Sequence, residues 1–291
     1  MGPTDDADDV DDEDQALIDE VLAERPDDEI ETPLTGGIAN QGAVVRVGPT
    51  VRRPRKPQSE TVQAFLEHLQ HWGVSEVPYP FGFDFEGREV LGFTEGVAPE
   101  QPFPHWVTEL DLLRNLAEVQ RKMHAASADF VAPADAVWGT GGDYFPAEAA
   151  GDLVCHNDLG IGNVVIGNGR IRGIIDFDYA HPVNPMFDIA VAIRHWLPMA
   201  PASGRDPAWG DDDALTPRFR AFCEVHELDA DDRSSVIDLA VAFLDQARGN
   251  IARLAESGHA GFRDLIDSGY LDRNLATVDW VRERQKVLVD R

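Results

Sequence analysis

The sequence predicts a two-lobed α+β fold, a small β-rich lobe followed by a larger, mainly helical one. Three observations predict it. Residues 34–97 read as short strands around a single helix, residues 98–291 read as helices around one strand-rich island, and residues 1–31 lack any core-forming pattern. A chain of 291 residues is long enough to bury a sizeable core in two such lobes.

The first segment is set apart by charge. Residues 1–31 hold 15 acidic residues and one basic residue, half of the formal net charge of −28. Such a segment cannot bury enough apolar surface to offset its ordering entropy. An acidic disordered tail is expected, with a short helix near Gln15–Ala23.

In the small lobe, Ala43–Val47 and Thr50–Arg53 read as strands joined by a tight Gly48-Pro49 turn, preceded by a Gly-rich loop from Thr35 to Gly42. Ser59 is expected to cap a helix that carries Val62, Phe65, Leu66 and Leu69 on one face and ends near Gly73. Strands follow at Tyr79–Asp84 and Arg88–Phe93, around a Glu86-Gly87 turn. In the large lobe, a long helix runs from Pro104 through Ala126, with Leu112, Leu113, Leu116, Val119 and Met123 at core spacing. Residues 127–150 read as loop. Val164–Ile166 and Ile171–Ile175 form a hairpin over Gly167-Asn168-Gly169, where Asn-Gly is a strong turn signal. Helices are expected at Met186–Leu197, Pro217–Glu227, Asp231–Ser257, Ala260–Ser268 and Asp272–Val289.

Composition excludes several classes of function. The acidic balance repels a phosphate backbone, which argues against nucleic acid as a partner. No uncharged run reaches the roughly 20 residues of a membrane helix, and no basic n-region with an apolar stretch opens the chain. Cys155 and Cys223 are too few for a disulfide framework or a cysteine zinc site. A soluble, cytoplasmic protein is expected. The basic residues are lopsided, three lysines (Lys56, Lys122, Lys286) against 22 arginines, and an acidic, lysine-poor surface resembles that of proteins from salt-loving organisms.

The chemistry concentrates in Cys155-His156-Asn157-Asp158-Leu159-Gly160-Ile161-Gly162-Asn163, followed by Ile174-Ile175-Asp176-Phe177-Asp178. Phosphoryl transfer needs a carboxylate beside the attacking hydroxyl and hard oxygen ligands for Mg²⁺. Asp158 supplies the first, and Asn163 with Asp176 the second. The five-residue spacing lets a loop aim Asp158 and Asn163 at one point, and the hairpin returns the chain to place Asp176 beside them. Each residue alone is a weak signal; the ordered set of loop, hairpin and aspartate is a strong one. Phe177 and Met186 read as core, Cys155 as buried, and His181, His195 and His226 show no metal spacing.

On these residues the chain resembles the aminoglycoside phosphotransferase family, within the wider protein-kinase-like fold, over roughly residues 34–290. The runs Gly151–Gly160, Ile175–Ala180, Val44–Gly48, Thr50–Pro54 and Pro185–Ala190 look like the small bacterial branch that includes trifolitoxin-immunity-like proteins. The resemblance implies ATP and Mg²⁺ as cofactors and transfer of the γ-phosphoryl to a small-molecule hydroxyl. It makes Asp158 the catalytic base and Asn163 and Asp176 the metal ligands. His156 would brace the catalytic loop, Asp178 would touch a second ion or the loop, and Asp188 would tie the metal segment to the helix it starts. The family's phosphate-binding lysine is absent; Arg53 is the best substitute and Arg52 the second, with Glu60 or Glu67 as the pairing acid. Gly36 and Gly37 would cover phosphate, and the linker at Phe93 and Thr94 would meet the adenine. Alternative readings are a kinase of another metabolite, such as an amino alcohol or sugar, and a nucleotide-binding immunity protein with little turnover.

Overall fold

The computed structural model describes residues 30–34, 43–139, 144–258 and 260–290. The expected helix near Gln15–Ala23 and the Gly-rich loop with Gly36 and Gly37 lie outside the described residues.

The small lobe is an antiparallel sheet of β1 (Thr32–Pro33), β2 (Val45–Val47), β3 (Thr50–Arg53), β4 (Pro80–Phe83) and β5 (Glu89–Gly92), in the order β1-β2-β3-β5-β4. Gly48 takes a φ of 55° in the turn between β2 and β3, a conformation glycine adopts without strain. The register of β3 on β5 sets Arg53 opposite Glu89 and Arg52 opposite Val90, so the two arginines leave the sheet on opposite faces. Helix α1 (Ser59–His71) buries Val62, Phe65, Leu66 and Leu69, as its spacing predicts. Ser59 is not its cap. Gln58 occupies the N-cap without a side-chain bond, and the Ser59 hydroxyl instead accepts from Lys56 N and donates to Glu89, both at 3.0 Å.

The large lobe opens with α2 (Leu110–Ser127), which starts later than the sequence suggests. Pro104 and Glu109 are both extended, and between them a single 3₁₀ turn, His105–Thr108, is closed by the Thr108 hydroxyl donating to the His105 carbonyl at 2.8 Å. That local bond competes with the helix and delays it. Two short strands invisible in the sequence pattern, β6 (Leu153–Cys155) and β9 (His181–Val183), pair antiparallel. Between them lies the expected hairpin of β7 (Val164–Gly167) and β8 (Arg170–Ile174), turned by Asn168 and Gly169 with φ of 54° and 71°. Helices α3 (Pro185–Trp196), α4 (Leu215–Val225), α5 (Ala230–Glu256), α6 (Ala260–Asp267) and α7 (Tyr270–Asp290) complete the lobe. Among the described residues no helix is long and apolar enough to cross a membrane.

The lobes are joined at several points. Val97 and Ile166 exchange two backbone hydrogen bonds of 2.9 Å, and Ile174 N donates to the Glu76 carbonyl at 2.7 Å. Beside these bonds, rings stack from one lobe into the other. Phe65 of α1 meets Phe130 at 5.1 Å and Phe177 at 6.2 Å, and Phe177 meets His156 edge-on at 4.5 Å. Phe177 is core, as expected, and it is the core residue that couples α1 to the loop carrying Asp158.

Candidate active site

The loop after β6 is built to hold Asp158 still. His156 is fully buried; its Nε2 donates to the Ile175 carbonyl at 3.0 Å, so Nδ1 is left to accept from Asp158 N at 3.1 Å. Burial lowers the pKa of this imidazole, which keeps it neutral. Asn157 takes a left-handed φ of 63°, which asparagine tolerates, and its amide nitrogen reaches the carbonyls of Cys155, Tyr179 and His181 at 3.0–3.1 Å. One side chain thus ties the loop to the segment after β8.

Asn163 closes the loop. Its Nδ2 donates to the Asp158 carbonyl and to Asp158 Oδ2, both at 2.8 Å, while Ile175 N donates to the Asn163 carbonyl at 2.9 Å. Asp176 follows with a φ of 64°, a left-handed conformation that is strained for aspartate and is held here by the hairpin and the short turn of Phe177–Tyr179. Asp158, Asn163 and Asp176 therefore converge, as their spacing implies. Burial, and then the charge of Asp176, push the Asp158 carboxyl up to about 7.

Arg53 reaches this centre and Arg52 does not. Arg53 Nε donates to Glu89 at 2.7 Å, and its Nη1 lies 3.1 Å from Asp178 Oδ1 and 3.6 Å from Asp176 Oδ1. Burial disfavours this guanidinium, but Glu89 and Asp178 outweigh that and raise its pKa. Arg52 pairs instead with buried Asp84 at 3.3 Å, on the other face of the sheet. The acid that pairs with Arg53 is neither Glu60 nor Glu67. Glu60 pairs with Arg55, Glu67 is exposed, and α1 contributes Gln63, whose amide holds Glu89 at 3.1 Å.

Lys56, which no motif marks, pairs with Asp178 Oδ2. Asp178 is thus neutralised by two cations. Burial alone would raise its carboxyl, but Arg53 and Lys56 prevail and lower it. Asp176 goes the other way, raised by burial and by the Asp178 charge. In the linker, Phe93 lies under the Arg46 guanidinium at 3.7 Å, and Thr94 packs on Gly173, where an added Cβ would sit 2.7 Å from the Thr94 methyl.

Asp188, at the start of α3, bonds the Asp158 loop and α2 rather than the expected metal segment. Its Oδ1 accepts from Asn157 N at 2.6 Å, and its Oδ2 accepts from Gln120 and His124 of α2 at 2.8 and 2.7 Å. Burial is complete and would raise its carboxyl, yet the bond and charge of His124 win and hold it below the usual carboxylate range. It clamps the backbone of the Asp158 loop between two helices.

The raised Asp158 carboxyl has a consequence for stability without metal. Between the usual aspartate value of about 4 and about 7, the folded protein holds a proton that the unfolded chain releases, so stability falls as pH rises through that window. In chelator, Asp158→Asn is expected to melt several degrees above the parent at pH 8, a gain of about 4 kcal/mol at most, and level with it near pH 4. Equal melting temperatures at pH 8 would remove the electrostatic strain from the account.

Residues 143–223, which carry this loop, the hairpin and the Asp-Phe-Asp run, match the model of the phosphotransferase enzyme family. The trifolitoxin immunity protein of Rhizobium leguminosarum bv. trifolii is 35% identical over 174 residues, covering 56% of this chain and 60% of that relative's length. Among solved structures, a choline/ethanolamine kinase family protein from Mesorhizobium loti superposes with a TM-score of 0.62 at 17% identity, over 94% of this chain and 99% of that one. The amicoumacin kinase hAmiN, solved with AMP-PNP, Ca²⁺ and Ami, gives a TM-score of 0.60 at 14% identity, over 92% and 93% of the two chains. Aminoglycoside 2'-phosphotransferase-IIIa, solved as its GDP complex, gives 0.54 at 13% identity, over 94% and 97%. At these identities the structures show a shared fold. The segment around Asp158 therefore carries the pattern of the phosphotransferase enzyme family, set in a protein-kinase-like fold of two lobes.

Proposed function

We propose that the protein transfers the γ-phosphoryl group of ATP to a hydroxyl of a small molecule. The observation that carries this reading is the convergence of Asp158, Asn163 and Asp176 on one point, opposite the Arg53 and Lys56 cations from the small lobe. The donor set fits a divalent cation. Asp176 Oδ1 is buried without a hydrogen bond, its nearest cation being Arg53 Nη1 at 3.6 Å, and Asn163 spends its amide nitrogen on Asp158, which leaves the side-chain carbonyl for a ligand. Asp176 and Asn163 would hold Mg²⁺, which when bound neutralises charge on the ATP phosphates.

The remaining work falls to the protein. Asp158, oriented by Asn163 and by the buried His156, accepts the proton of the acceptor hydroxyl as its oxygen bonds to the γ-phosphorus and ADP departs with the broken bond's electron pair. Arg53, held by Glu89, offers fixed positive charge on the small-lobe side of the cleft. Gly36 and Gly37, outside the described residues, would cover the phosphates, and the linker backbone at Phe93 and Thr94 would meet the adenine. A nucleotide-binding protein with little turnover is the second reading. It draws on Arg53, whose guanidinium is already engaged by Glu89 and Asp178. An unbiased screen of hydroxylated metabolites and antibiotics with ATP and Mg²⁺, scored by the mass gain of one phosphate, separates the two. A phosphorylated acceptor is expected; tight ATP binding with no acceptor modified would favour the second reading.

A further inference from the structure

A cavity of about 210 Å³ lies in the large lobe beside the catalytic loop. It begins at Ile161, three residues after Asp158, and is walled by Arg194 and His195 of α3 together with Arg205, Tyr270 and Asn274. Its charge runs against that of the chain. The formal net charge is −28, yet the charged side chains on this wall are three arginines (Arg194, Arg205, Arg273) and a single carboxylate, Asp206. Asp206 is held by backbone amides, accepting from Phe103 N at 3.1 Å and Ala208 N at 2.9 Å.

The three arginines are not equivalent. Arg205 is held by the Ala200 carbonyl and Asp212, and Arg273 by Ser268. Arg194 has no hydrogen bond or ion pair among the described residues; its Nε is buried and unpartnered, and no described carboxylate acts on it. Asn274 adds a second orphan donor, because its side-chain nitrogen is buried without an acceptor while its oxygen accepts from Arg248 at 3.4 Å. His195 stays neutral beside it, since burial and Arg194 push its pKa down to about 3. A half-buried guanidinium with its Nε desolvated and no counter-charge, next to a buried amide with no acceptor, favours a bound anion.

The cavity also adjoins the loop that carries Asp158. Ile161 of that loop lines it beside Arg194 and His195, and Trp196 of the same helix donates its indole N–H to the Leu159 carbonyl at 2.9 Å. Two of the carboxylates in this helical region are engaged by arginines, Asp212 by Arg205 and Arg284, and Glu227 by Arg121. Building on the phosphotransferase reading above, we propose that the acceptor is an anionic alcohol, which presents its hydroxyl to Asp158 and anchors a carboxylate or phosphate on Arg194 and Asn274.

The test is calorimetry on the full chain without nucleotide or metal, with gluconate, glycerol 3-phosphate, glycerol and kanamycin as probes. At least one of the two anions is expected to bind, and Arg194→Gln to weaken it by more than about tenfold, while Arg194→Lys retains most of the affinity. Whether gluconate or glycerol 3-phosphate binds tells carboxylate from phosphate. Glycerol and kanamycin should bind no better to the parent than to Arg194→Gln. If Arg194→Gln loses its cooperative melt, Asn274→Leu removes the second donor and is read the same way. The proposal is overturned if neither anion binds at about 20 mM, or if affinity is unchanged in the folded variants. A parallel ATP titration of the parent keeps the two readings apart: no ATP binding with anion binding intact would sink the phosphotransferase reading alone, and ATP binding with no anion binding would sink only this one.

Discussion

Replacing Asp158 with asparagine is expected to slow phosphoryl transfer by roughly 10²–10⁴-fold, the usual consequence of losing a general base. Nucleotide affinity should change by less than about threefold. The expectation follows from what Asn keeps and what it loses. The Asn163 amide still finds an oxygen at 158, and the backbone bond from residue 158 to His156 is untouched. What disappears is the carboxylate that orients the hydroxyl and takes its proton. Steady-state turnover on the acceptor found by screening, beside ATP calorimetry on the same variant, reads the two effects separately. An Asp158→Asn enzyme with turnover within a few-fold of the parent would show that the base lies elsewhere.

Asp188→Ala should destabilise the protein by roughly 3–5 kcal/mol, because it strands three buried donors at once. Asn157 N, Gln120 Nε2 and His124 Nε2 all lose their acceptor, at a site with no solvent exposure. Urea melts followed by tryptophan fluorescence measure the change. A loss below about 1 kcal/mol would mean that the loop does not depend on this clamp. The same variant should also disturb Asp158, since the bond to Asn157 N lies one residue before it.

These two residues mark how far local sequence reaches. Asp158, Asn163 and Asp176 were legible because their geometry is local: a five-residue loop, then a hairpin whose Asn168-Gly169 turn sets its own register. His156 was legible as a brace for the same reason. The partners of Asp188 were not, because Gln120 and His124 come from a helix more than sixty residues earlier. Arg53 could be singled out from the strand, but its acid could not. Glu89 faces it only through the register of β3 on β5, whereas sequence proximity pointed to the helix carrying Glu60 and Glu67. Lys56 did leave a signal, as one of only three lysines in the chain; its reach to Asp178 required the fold. β6 and β9 escaped notice because three-residue strands are too short to show a period, and each is defined by the other.

If Asp158, Asn163 and Asp176 form a nucleotide–metal centre, calorimetry with ATP, with and without Mg²⁺, on the parent and on Asp176→Asn will show it. Mg²⁺ is expected to tighten ATP binding to the parent by about tenfold or more, and Asp176→Asn to lose this dependence. No nucleotide binding to the parent under either condition, or an undiminished Mg²⁺ effect in Asp176→Asn, would contradict it.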